Sequence, residues 1–153
     1  MTNRRRFAAA LIGVVLLCAA LTAGAQDDGR SPAGRGETFK ARLSTVPIDL
    51  TMTATVAGSG SLTAVLAGNK LTINGKFEGL RSPATFARIH RGPKGIRGPA
   101  LFDLTVSKAT SGEISGSVEL TAAQIEDLKN ARLYVQVYSE RAPDGNLWGW
   151  LLR

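Results

Sequence analysis

The chain has 153 residues, with 19 Lys or Arg against 12 Asp or Glu, one histidine and one cysteine. That length accommodates one domain-sized core and excludes a second. One cysteine excludes an intrachain disulfide, and one histidine leaves few soft ligands for a transition metal.

The N-terminal segment has the three parts of a secretory signal. Arg4, Arg5 and Arg6 form a basic start, residues 7–21 are apolar, and Ala23, Gly24 and Ala25 supply small residues for a peptidase. The pattern predicts removal of residues 1–25 and an exported product, periplasmic or extracellular. The apolar run is shorter than the roughly 20 residues a spanning helix needs, so no transmembrane segment is expected in the mature chain. Leu17 before Cys18 does not suit lipoprotein processing, and the arginine run fits either a general or a twin-arginine export route. Cleavage would remove the cysteine and leave 16 basic residues against 12 acidic, an excess of +4. Residues 26–37 are rich in Gly, Asp, Ser and Pro without apolar period, and read as a disordered linker ahead of a domain at 38–153.

From Phe39 the pattern has period two. Phe39, Ala41 and Leu43 alternate with Lys40, Arg42 and Ser44, and Met52, Ala54 and Val56 alternate with threonines; both predict strands with one buried face. The same holds for residues 62–66 and 71–77, joined by Gly68-Asn69, a pair that tolerates the positive φ of a tight hairpin. Strands are also predicted at 84–90, 101–106, 113–120, 133–137 and 147–152. Thr-Ala-Ala-Gln at 121–124 has capping-box spacing, and Ile125 with Leu128 gives one short helix an apolar side. Pro143-Asp144-Gly145 reads as a turn. Eight or nine short strands and one helix disfavour a parallel α/β sheet and predict an all-β, antiparallel Greek-key sandwich or barrel.

Three segments carry a family resemblance. They are Phe-Lys-Ala-Arg-Leu-Ser at 39–44, Ala-Arg-Ile-His at 87–90 with the Gly/Pro-rich stretch 92–99, and Tyr-Val-Gln-Val-Tyr-Ser at 134–139 with Ala-Pro-Asp-Gly at 142–145 and Trp148-Gly149. Together the chain resembles the chordin-domain (CHRD) family, found in chordin and in many exported bacterial proteins. The resemblance implies a β-sandwich, immunoglobulin-like or similar to copper/zinc superoxide dismutase. It also implies extracellular protein binding, with no defined catalytic activity to carry over. The chain departs from the family pattern where Arg88 and Tyr138 replace histidines and Trp148 replaces arginine.

Three chemistries compete at the middle motif. A metal site would use a His-x-His pair, but here that pair is Arg88 and His90, too few ligands and one of them cationic. Hydrolysis would need His90 to activate Ser82 or Ser139 with Asp103 as orienter, yet no nucleophile motif is present. Anion binding draws on Arg81, Arg88, Arg91, Lys94 and Arg97, a cationic run without an intervening acid, against the plainer reading of a solvated charged edge. If the closing strands lie beside residues 87–90, Tyr138 can hydrogen-bond His90. The sequence therefore predicts a non-enzymatic extracytoplasmic binding or structural module without cofactor or metal. Its candidate contact residues are Arg88, His90, Arg91, Lys94, Arg97 and Tyr138. The expected partner is an extracytoplasmic protein or acidic polymer, not nucleic acid. The competing class is a metal-dependent, dismutase-like enzyme.

Overall fold

The computed structural model describes residues 36–45 and 50–153. The predicted signal segment and most of the predicted linker lie outside the described residues. The strands are β1 (Glu37–Thr45), β2 (Ser59–Ala67), β3 (Lys70–Glu78), β4 (Ala84–Arg91), β5 (Ala100–Val106), β6 (Gly112–Glu119), β7 (Leu133–Ser139) and β8 (Ala142–Trp150), with one helix, α1 (Ala122–Lys129), between β6 and β7. All pairings are antiparallel, and the strands close into a barrel in the order β1-β2-β3-β6-β5-β4-β7-β8. The β3–β4 and β6–β7 connections each skip two strands of that ring. Two seams are short: β5 and β6 share the pairs Thr105↔Ser115 and Val106↔Ile114, while β1 and β8 share Ser44↔Trp148 and Thr45↔Leu147. Among the described residues, no helix is long and apolar enough to cross a membrane.

The interior is what the period-two pattern specifies. Phe39, Leu43, Leu71, Ile73, Ile89, Ile114, Leu133, Val135 and Leu147 are all buried to 1% exposure or less. Each such side chain contributes about 1.5–3 kcal/mol on leaving water. Helix α1 adds Leu128 to this core and starts on the capping box read from the sequence. Gln124 N–H donates to Thr121 Oγ1 at 3.3 Å, and Thr121 N–H donates to Gln124 Oε1 at 2.9 Å.

Three expectations are corrected. Residues 50–54 form a 3₁₀ turn, not a strand; Thr53 Oγ1 donates to the Leu50 carbonyl and Thr55 Oγ1 to the Met52 carbonyl. Hydroxyls that reach back three residues compete with extended backbone, and of the alternating set only Val56 is buried. The turn before the last strand is at 140–141, and Pro143-Asp144-Gly145 lies inside β8. The β7–β8 register shifts between Val137 and Ser139, and Gly145 sits there at φ +120. Such a bulge accepts both a proline and a glycine that a regular central strand would reject. Finally, β1 already begins at Glu37, paired with Leu66, so the linker reading ran one residue too far.

Candidate functional site

Alternation places a second set of large side chains on the outer face of β4, β7 and β8. Register aligns His90 with Tyr134 and Trp150 in one row, and Arg88 with Gln136 and Trp148 in the next. These positions would normally meet water, yet Tyr134 is fully buried and Gln136, Trp148 and His90 are nearly so. The rings form a continuous layer. Tyr134 stacks on Trp148 (5.5 Å between centroids, 1° between planes) and on His90 (5.1 Å, 16°), and Tyr138 packs on Phe86 at 4.3 Å.

The Gly/Pro loop 92–99 covers this layer and is pinned to it by three side chains. His90 Nδ1 lies 3.0 Å from the Gly98 carbonyl, Tyr134 Oη accepts from Gly98 N–H at 3.1 Å, and Trp150 Nε1–H donates to the Gly92 carbonyl at 3.1 Å. Backbone bonds from Gly92 N to Arg132 O and from Arg91 N to Pro99 O close the loop base. Gly98 is required by this close approach, because a Cβ there would stand 1.6 Å from the Arg91 carbonyl oxygen.

A carbonyl only accepts, so Nδ1 of His90 carries the proton facing Gly98, and the single hydroxyl proton of Tyr138 has two acceptors in reach, His90 Nε2 at 2.8 Å and Gln136 Oε1. The hydrogen bond between Tyr138 and His90 anticipated from the sequence is present. Tyr138 Oη is also 3.2 Å from Gln136 Oε1, whose amide is oriented by its own bond to the Asp144 carbonyl. Burial lowers the pKa of His90 below 6.5; the bond to Gly98 opposes this, and the charges of Arg88 and Arg97 add to it. Burial raises the Tyr138 hydroxyl above its ordinary value, so the pair stays neutral.

The candidate residues therefore divide. His90 and Tyr138 form an internal polar cluster under the loop, apart from the exposed cations Lys94 and Arg97. Arg88 pairs with Asp103 at 2.6 Å and lies over the Phe86 ring at 4.6 Å. Arg91 pairs with Asp127 at 2.7 Å. The run without an acid in sequence thus acquires two acids in space. Lys94 and Arg97 remain exposed on the loop; Arg97 donates to the Asp144 carbonyl at 2.5 Å and lies 5.3 Å from the Trp148 ring. A cleft of about 230 Å³ runs between Arg97, Tyr138 and Pro143, and one of about 450 Å³ lies beside Arg91, Arg97 and Arg132. A further cleft, about 630 Å³, is an open furrow on the opposite sheet along Arg42, Ser61, Lys76 and Glu113, remote from the aromatic layer.

The two serines weighed for hydrolysis have partners other than His90. Ser82 Oγ accepts from Arg141 N–H and Ser139 Oγ from Asn146 Nδ2, while both His90 nitrogens are engaged elsewhere. Among the described residues no three His, Cys, Asp or Glu side chains gather as a ligand set. The sequence reading missed Asp127 and Arg132. Asp127 had a signal: a carboxylate in the last turn of a helix opposes the dipole and asks for cations, which Arg91 and Arg132 supply at 2.7 and 4.0 Å.

Fold and site together define a small all-β barrel module that presents a clamped glycine-rich loop on an aromatic face. The family model described as CHRD domain matches residues 39–151, and the chain belongs to that family. Comparison with curated proteins and with solved structures gives no match.

Proposed function

We propose that this CHRD domain is a non-enzymatic binding module, exported after loss of residues 1–25, whose loop 92–99 is the contact surface for an acidic extracytoplasmic partner. The carrying observation is the clamp. His90, Tyr134 and Trp150 hold the loop backbone while Lys94 and Arg97 stay exposed, so the cations are positioned before any partner arrives. Preorganisation of this kind lowers the ordering cost of binding. Export draws support from the basic, apolar and small-residue parts of the N-terminal segment. A Greek-key reading of the fold, immunoglobulin-like or superoxide dismutase-like, draws support from the barrel order, in which β4, β5 and β6 are successive neighbours and β7 returns beside β4. Dismutase-like chemistry draws no such support, because Arg88 stands where a second imidazole would be needed.

The test is retention on a sulfated-polysaccharide resin. Elution is expected to require added salt, and Lys94→Ala with Arg97→Ala to bring elution to lower salt. Lys40→Ala with Arg42→Ala, on the opposite sheet, is the matched control. Equal shifts for the two double variants would contradict the assignment of the loop.

A further inference from the structure

The cleft of about 230 Å³ beside the loop has a wall that is short of one proton. His90, Gln136 and Tyr138 line it together with Arg97, Pro143 and Asp144, and the first three are buried to 8% exposure or less. Two backbone carbonyls fix most of the hydrogens. Nδ1–H of His90 faces the Gly98 carbonyl, and Gln136 Nε2–H donates to the Asp144 carbonyl at 2.8 Å, which turns Oε1 toward Tyr138. His90 Nε2 and Gln136 Oε1 are left as acceptors, 2.8 and 3.2 Å from one hydroxyl that can donate only once. Burial above all disfavours a second proton on the imidazole. Whichever acceptor Tyr138 serves, the other needs a donor from the cleft. The same cleft holds a cation. Arg97 Nη2 donates to the Asp144 carbonyl at 2.5 Å, the oxygen that also accepts from Gln136, so the guanidinium stands next to the Gln136 amide. Its other N–H donors meet no carboxylate among the described residues.

We infer that this cleft binds a sugar acid, with its carboxylate on Arg97 and a ring hydroxyl donating to the cluster of His90, Tyr138 and Gln136. The proposal rests on the binding-module reading above and names the acidic partner as a uronate, free or as one unit of a polymer. The cleft is smaller than the roughly 300 Å³ at which pockets for whole small molecules begin, so it suits a single ring. A planar guanidinium with donors to spare matches a carboxylate. A hydroxyl can donate to the unserved acceptor and accept from Arg97 at the same time, whereas a peptide N–H only donates.

The experiment is an NMR titration that follows the His90 ring nitrogens and Arg97 Nε–H, on protein in the form its native host makes. Galacturonate and its trimer are the probes, with methyl galactoside, propionate and a triglutamate peptide at matched ionic strength. Saturable shifts at His90 Nε2 and Arg97 Nε–H are expected with the sugar acid. Saturation by monomer and trimer alike supports a site for the free acid, and saturation by the trimer alone supports one for a polymer. Arg97→Ala should weaken binding about tenfold or more, and Gln136→Met, which removes the acceptor, about fivefold. Lys76→Ala on the opposite sheet should leave it unchanged. Arg97 is exposed, so its variant decides the matter even if Gln136→Met does not fold. Equal saturation by methyl galactoside, propionate or triglutamate, or shifts that never saturate, would overturn the sugar-acid site. Protons on both His90 nitrogens at pH 7.5 in the free protein would overturn it too, because the cluster would then be complete without a ligand. If resin retention still depends on Lys94 and Arg97 in those cases, the binding module stands without this site; loss of both would remove the two readings together.

Discussion

The barrel has two broad outer faces built by the same alternation, and they end in opposite states. On β1, β2, β3 and β6 the outward rows read Lys40–Thr63–Asn74–Ser115 and Thr38–Val65–Thr72–Ser117, and all of these are exposed. On β4, β7 and β8 the corresponding rows hold His90, Tyr134, Gln136 and Trp148, all buried. Strand geometry is common to both; the difference is loop 92–99, a lid whose backbone bonds His90, Tyr134 and Trp150, while Trp148 Nε1 is buried without a partner. A buried polar group without a partner costs about 1–3 kcal/mol, so such a face is stable only if its lid is made of hydrogen-bonding backbone, as this one is.

The largest test of that contrast removes one residue from each face. Trp148→Ala should cost about 3–5 kcal/mol in denaturant unfolding, whereas Thr72→Ala should stay within about 0.5 kcal/mol. Equal costs would erase the distinction between the faces. Next in size is the lid itself. Gly98→Ala forces Cβ onto the Arg91 carbonyl and should destabilise by about 3 kcal/mol, with tryptophan emission moving to longer wavelength as the loop lifts. Gly95→Ala, at φ +81 with open space around it, should cost about 1 kcal/mol and leave the emission in place. Tyr134→Phe, which removes only the acceptor for Gly98 N–H, should cost about 1 kcal/mol.

The smallest effect is a pH dependence. The folded pKa of His90 is lowered, chiefly by burial, below the 6.5 of an unperturbed imidazole. The unfolded chain therefore takes up the proton first, and the His90 contribution to stability is full above pH 6.5 and declines as pH falls below it. His90→Gln should flatten that part of the stability profile, measured by unfolding between pH 7.5 and 5. An unchanged slope would mean that His90 titrates alike in both states.

Much of the barrel was legible because one-faced burial imposes a period of two, and residues 39–43, 62–66 and 71–77 follow it without exception. Residues 52–56 follow it too, yet threonine hydroxyls bonded to local carbonyls turn them into a 3₁₀ segment. Periodicity alone does not see that competition. The covered face was half legible. In β7 every residue is buried, and its composition, Leu-Tyr-Val-Gln-Val-Tyr-Ser, already lacks a charged side. A strand without a solvated face needs covers on both sides. What the sequence did not disclose was the cover, since the contacts of Gly92 and Gly98 with Tyr134, Trp150 and His90 join segments far apart in the chain. The same distance hid Asp103 and Asp127 from the cationic run they neutralise.

The clamped loop is tested most directly by amide hydrogen exchange along residues 92–99. Gly92 and Gly98, whose N–H groups donate to Arg132 O and Tyr134 Oη, should exchange slowly beside a fast Gly95, and Tyr134→Phe should release Gly98 alone. Exchange at Gly98 as rapid as at Gly95 in the unaltered protein would show a loop free of the aromatic face, and would contradict the account.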